Sequence, residues 1–199
     1  MVGFNRRFSP LTVTMKALLD KVAGPKTFIL TMNAGHIPAE HWVQDRATGG
    51  GRIIGEACHY IDLLRFLVGS PISDFSAASI GFTPADATCE DKATITLRFE
   101  DGSLGTVHYF ANGGRAFAKE RIEAFAADGV LQLDNFKRLN GYGWKGFRSQ
   151  RLLSKDKGQS ACVAAFLQSV RSGEACPIPH EELMEVARVS IEVAQALRR

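Results

Sequence analysis

The chain has 199 residues, of which 45% are apolar and 23% charged, with a net charge of +3. That length gives one domain, and that balance is the ordinary one for a globular protein rather than a disordered one. The scattered lysines and arginines form no nucleic-acid patch, no apolar run reaches the ~20 residues of a membrane span, and the first residues do not read as a signal peptide.

Ser9-Pro10 reads as a helix start, a hydroxyl N-cap followed by proline in the first turn. The helix runs through Met15, Leu18 and Leu19 toward Gly24. Lys26 to Met32 reads as a strand, and Asn33 to Thr48 as a polar loop. Gly49-Gly50-Gly51 opens a second helix over about Arg52 to Val68, stopped by Gly69-Ser70-Pro71. From Ile72 to about Leu153 the apolar period changes to two. Ala93, Ile95, Leu97 and Phe99 alternate with Thr94, Thr96 and Arg98, and Asp101-Gly102 turns into a strand over Leu104 to Phe110. Lys119 to Ala126 alternates again, Asp128-Gly129 turns into Val130 to Leu133, and weaker strands are expected over Phe136 to Leu139 and Trp144 to Arg148. Two helices, about Gln159 to Arg171 and Glu181 to Leu197, close the chain. Hairpin-linked strands and grouped helices predict an α+β fold: a large open, mainly antiparallel sheet with helices packed on one face. Its other face, uncovered, would need a partner surface.

Cys58, Cys89, Cys162 and Cys176 form no CxxC pair, so neither zinc nor a disulfide framework is indicated, and reduced thiols in a cytoplasmic protein are the default. No metal-ligand spacing appears elsewhere. Gly141 to Gly146 fits GxGxxG letter for letter, but Phe147 to Leu153 is basic and strand-like where a phosphate-binding helix should start. Glycines of a hairpin are the better account. Gly49 to Gly51 does precede a helix, so it either presents amides to an anion or permits tight packing at the helix entrance.

Asn33, His36, His41 and Trp42 lie in the loop before that helix, and Arg52 at its start. Amide and aromatic groups suit a sugar pocket, so Asn33, His36, Trp42 and Arg52 are candidate substrate contacts; loop polarity explains them equally. Arg6 and Arg7 either meet a cofactor phosphate or are solvated linker charges. His59 lies on the helix with Glu56 three residues before and Asp62 three after, near one face. By pattern alone a histidine there is a structural one, and Asp62 an anchor for the helix. His108 and His180 read as structural.

Gly49-Gly50-Gly51 through Cys58-His59-Tyr60-Ile61-Asp62 resembles the GG…D…H..D helix of the Gfo/Idh/MocA oxidoreductases, the family of glucose-fructose oxidoreductase and inositol dehydrogenase. Gly3 to Pro10 resembles the segment where that family's chain leaves its Rossmann domain. The resemblance implies a C-terminal domain of the glyceraldehyde-3-phosphate dehydrogenase type over residues 1–199, with 1–8 as residual interdomain linker and the Rossmann domain absent. It implies NAD or NADP in the parent protein, none in this fragment, and a partner lysine from the Rossmann domain. His59 then stands in acid/base contact with a sugar, nucleotide-sugar or cyclitol hydroxyl, and a homodimer or homotetramer forms through the open sheet. The pattern departs at Gly55, where the family often has aspartate. Glu56 is one residue, about 100°, away on a regular helix; as a helper it would pair with His59 and raise its pKa. The alternative is a non-catalytic assembly or sugar-binding module.

Overall fold

The computed structural model describes residues 1–45, 47–80 and 89–198; the side chain of Cys89 lies outside them. The fold is α+β, an open eight-stranded sheet with its helices on one face. The strands are β1 (Thr27–Asn33), β2 (Ile72–Ser79), β3 (Lys92–Phe99), β4 (Leu104–Phe110), β5 (Glu120–Ala126), β6 (Gly129–Asp134), β7 (Arg138–Tyr142) and β8 (Ser149–Arg151). Their order across the sheet is β2-β3-β4-β1-β5-β6-β7-β8. Every neighbouring pair is antiparallel except β1 with β4. β1 is formed before β2 to β4 in the chain yet lies between β4 and β5, so the meander closes around it.

The helices are α1 (Pro10–Leu19), α2 (Cys58–Val68), α3 (Gln159–Ser172) and α4 (His180–Leu197). α2 lies against β4, α1 and α4, and α4 reaches β2. The period-2 strands supply one buried face: Phe28, Leu30 and Met32 of β1, Ile95 and Leu97 of β3, Val107 and Tyr109 of β4, Ile122 and Ala124 of β5, Leu131 and Leu133 of β6. Ile61, Leu64 and Leu67 of α2 and Val186, Val189 and Val193 of α4 close on it at helical spacing. At Gly105 an added Cβ would lie 2.9 Å from Leu64 Cδ1, so the missing side chain is what lets α2 settle on β4.

Several boundaries differ from the sequence expectation, each for a local reason. α1 stops at Leu19 rather than near Gly24, and Ser9 makes no side-chain cap bond; its hydroxyl donates to the Asp156 carbonyl at 2.8 Å. The turn between β5 and β6 is centred on Ala127 and Asp128, both at positive φ, with Gly129 already in β6. The next turn places Asn135 and Phe136 at positive φ, so Phe136 is not a strand residue; its ring is buried in the core, and that anchoring offsets the backbone cost. The last hairpin therefore slips forward: β7 is Arg138–Tyr142 and β8 is Ser149–Arg151, leaving Trp144 in the connecting turn. Gly143 and Gly146 sit in that turn at positive φ, and the next element is β8 rather than a helix, so the GxGxxG run lacks the helix N-terminus that would hold a pyrophosphate.

Residues 1–8, expected as linker, pack into the domain. Phe4, Arg6 and Arg7 are buried, and Asn5–Phe8 forms a 3-10 turn against α3. No helix among the described residues is long and apolar enough to cross a membrane.

Candidate active site

The glycine run is built for close packing. A Cβ on Gly49 would overlap the Trp42 carbonyl, and one on Gly51, at φ +85°, would overlap the Glu90 carboxylate that pairs with Arg198. The chain then makes a π-helical turn over Ile53–Ala57 before becoming regular α-helix at Cys58. Such widened turns are frequent at functional sites. Here the turn carries Glu56, and His59 sits just beyond it.

Asp62 is fully buried and takes a bidentate pair from Arg7, at 2.9 Å from Nε and 2.6 Å from Nη2. Arg7 also pairs with Glu182 of α4. Asp62 therefore ties α2 to the N-terminal segment and α4, the anchoring role expected of it.

His59 is half-buried, with the Phe4 ring edge-on at 5.6 Å between centroids. Its Nδ1 is buried and has no hydrogen-bond partner among the described residues. Burial first, then the positive charge of Arg6, lowers its pKa to about 4; Glu56 and Glu120 pull the other way and lose. At neutral pH the ring is uncharged. Glu56 does not hydrogen-bond to it. Its carboxylate receives Tyr109 OH at 2.5 Å and Arg52 Nη2 at 3.0 Å, with Lys119 Nζ at 3.7 Å. The expected rise in the His59 pKa is thus reversed: Glu56 still favours the charged ring, but it is bonded to other donors and not to His59, and burial and Arg6 outweigh it. Burial opposes ionisation of Glu56, but the Tyr109 and Arg52 bonds and the Lys119 charge prevail and hold its pKa below the usual range.

A second buried group flanks His59. Glu120 Oε1 accepts from Arg6 Nη2 at 2.7 Å and Tyr60 OH at 2.6 Å, and Lys157 Nζ lies 2.6 Å from Oε2. Burial opposes the charge, yet Arg6, Lys157 and Tyr60 hold the Glu120 carboxyl down to about 2. The guanidinium of Arg6 also lies over the Tyr60 ring, 4.7 Å from its centroid. Arg6 and Arg7 are neither solvated linker charges nor free donors for a cofactor phosphate; both are committed to carboxylates of this domain.

The other candidates separate. Arg52 is buried, donates to the Gly35 carbonyl at 2.7 Å and to Glu56, and lies over the Tyr109 ring, so it braces the loop from beneath. Asn33 and His36 line a cavity of about 180 Å³ together with Arg115, Phe117 and Lys119. Trp42, 63% exposed and beside His41, is not among the residues lining it. His108 is structural, bonded to Thr94 at 3.1 Å on the outer sheet face.

Sequence reasoning missed Glu120, Lys157, Lys119, Arg115, Tyr60 and Tyr109. A signal for Glu120 was present: Ile122 and Ala124 point inward, so alternation puts Glu120 inward as well, a carboxylate aimed at a core. Lys157 and Arg115 lie in connections, with no periodicity to mark them. Among the described residues no group of three His, Cys, Asp or Glu side chains is arranged to hold a metal. The Cys58 thiol is pushed up to about 11 by burial and the nearby Asp62 charge, which leaves it unreactive.

The chain belongs to the Gfo/Idh/MocA family: the model of the GFO/IDH/MocA C-terminal domain matches residues 14–132. It is 27% identical over 139 residues to the uncharacterized oxidoreductase YrbE of Bacillus subtilis, covering 67% of this chain and 40% of that one. Against inositol 2-dehydrogenase 2 of Paenarthrobacter aurescens it is 28% identical over 142 residues, 69% of this chain and 40% of the relative. The chain thus spans about two fifths of the length of the curated relatives it matches. Among solved structures, levoglucosan dehydrogenase in complex with NADH and levoglucosan superposes with a TM-score of 0.81 at 17% identity, over 100% of this chain and 64% of that one.

Proposed function

We propose that this chain is the substrate-binding and oligomerisation domain of a cytoplasmic NAD(P)-dependent oxidoreductase acting on a sugar, nucleotide-sugar or cyclitol hydroxyl. The observation that carries the reading is His59. Among the described residues its side chain makes no hydrogen bond or ion pair, while Arg6, Arg7, Arg52, Glu56 and Glu120 are committed to one another, to other charged side chains or to the backbone. A neutral imidazole accepts a proton, which suits oxidation of a carbinol: the base takes the hydroxyl proton as hydride leaves the carbon. The nicotinamide, when bound, supplies the hydride acceptor. This chain's part is to hold the hydroxyl and receive its proton. With Arg6 and Arg7 occupied, the cofactor's phosphates fall to the N-terminal domain of the parent protein. The inositol 2-dehydrogenase and levoglucosan dehydrogenase relatives support the substrate class.

In the parent protein with NAD or NADP, His59→Ala is expected to lower kcat by about 10² or more on the preferred sugar, with the fold unchanged by circular dichroism. Full activity in that variant would remove the role given to His59.

A further inference from the structure

The cavity beside Glu56 narrows the substrate class. Resting on the reading above, we propose that the substrate carries an anionic substituent, a phosphate or a carboxylate, seated on Arg115 and Lys119.

Three observations converge on this. First, the cavity of about 180 Å³ is lined by Asn33, His36, Arg115, Phe117 and Lys119, with no carboxylate in its wall. At ~30 Å³ per water it holds about six waters, room for a phosphate or carboxylate and the edge of a sugar ring. Second, positive charge beside it exceeds negative. The carboxylate paired with Lys119, Glu56 at 3.7 Å, is shared with Arg52 and Tyr109 at hydrogen-bond distance, so one negative charge faces Arg52 and Lys119 together, and the Lys119 side chain stays 46% exposed. Arg115 has no hydrogen bond or ion pair among the described residues. A guanidinium and an ammonium on one rim suit anionic oxygens, the guanidinium by a two-pronged contact.

Third, the loop that carries Arg115 is held in place. The Asn33 amide nitrogen donates to the Gly114 carbonyl at 2.8 Å and the Phe117 carbonyl at 3.4 Å. Its oxygen is buried against Gly113, where an added Cβ would overlap it, so the missing side chain lets the amide brace the loop. A guanidinium fixed in this way meets an anion at little further cost in order. An anionic group on a sugar marks a sugar phosphate, a nucleotide sugar or a sugar acid; a plain hexose or cyclitol leaves the cations unused. Phe117, 64% exposed at the rim, offers the apolar face that a sugar ring covers.

The test is equilibrium binding to the parent protein loaded with NADH. Glucose, myo-inositol, glucose 6-phosphate, glucuronate and UDP-glucose are titrated calorimetrically at low and at high salt. The expected result is that at least one anionic compound binds about tenfold or more tighter than glucose, that the margin shrinks at high salt, and that Arg115→Gln or Lys119→Gln removes most of it. Preference for glucose 6-phosphate or UDP-glucose assigns a phosphate, and preference for glucuronate a carboxylate. The proposal is overturned if the neutral compounds bind as tightly as all three anionic ones, or if the preference survives both substitutions. Hydride transfer is followed separately on the same panel with NAD or NADP. An anionic preference in binding without turnover keeps the anion seat and sinks the dehydrogenase reading; turnover with no such preference does the reverse.

Discussion

At the scale of single residues, the site is decided by which side chains are already occupied. Glu56 looked available to His59 on a helical wheel, but Arg52, Tyr109 and Lys119 claim it first. His59 is left to burial and to Arg6, which set the direction of its titration. The folded pKa of about 4 lies below the ordinary 6.5, so the folded state binds fewer protons between those values. Stability from this group is therefore full above pH 6.5 and is lost as pH falls toward 4. A histidine NMR titration of this chain should give His59 a midpoint near 4. A midpoint at or above 6.5 would contradict the burial argument. Glu120 supports the opposite charges: Arg6 and Lys157 lose their shared partner in Glu120→Ala, and both are largely buried. Removing one member of such a buried network costs about 3–5 kcal/mol. Urea unfolding of the variant measures it; a loss under about 1 kcal/mol would mean the two cations find water instead.

At the scale of elements, the strands and helices were legible because their apolar periods are clean and their stops are glycines and prolines. α3, α4, β3 and β4 came out within a residue or two of expectation, and α2 ended where expected but began at Cys58 rather than Arg52. The errors fall where local sequence has no period: the Asn135-Phe136 turn, where a buried ring outweighs an unfavourable φ, and the β7–β8 hairpin shifted by it. The π-helical turn at Ile53–Ala57 was equally silent, since its residues read as ordinary helix formers. The glycines before it had two readings, anion cradle or tight packing; Gly49 and Gly51 press against Trp42 and Glu90, which accounts for both residues by packing. Gly51→Ala should cost about 1–3 kcal/mol through its positive φ and the displaced Glu90–Arg198 pair. Differential scanning calorimetry gives the number, and an unchanged Tm would refute the packing account.

At the scale of the whole molecule, the helices cover one face of the sheet and leave the other to Thr94, Thr96, Thr106, His108, Phe110 and Phe125, all of them partly exposed. An eight-stranded face of this kind is the surface we expect a second copy to cover. Light scattering should report a dimer or larger species. A monomer at micromolar concentration would count against the oligomerisation role.

The sequence by itself determined the α+β class, the succession of elements and the helix that carries His59, because periodicity and turn residues are written locally. Only the tertiary structure decided which charges meet. Arg6 finds Glu120 across 114 positions and Arg7 finds Glu182 across 175, while Arg115 finds no partner among the described residues. Ion pairing depends on distances set by sheet order and helix packing, and those distances leave no mark on the local pattern of a chain.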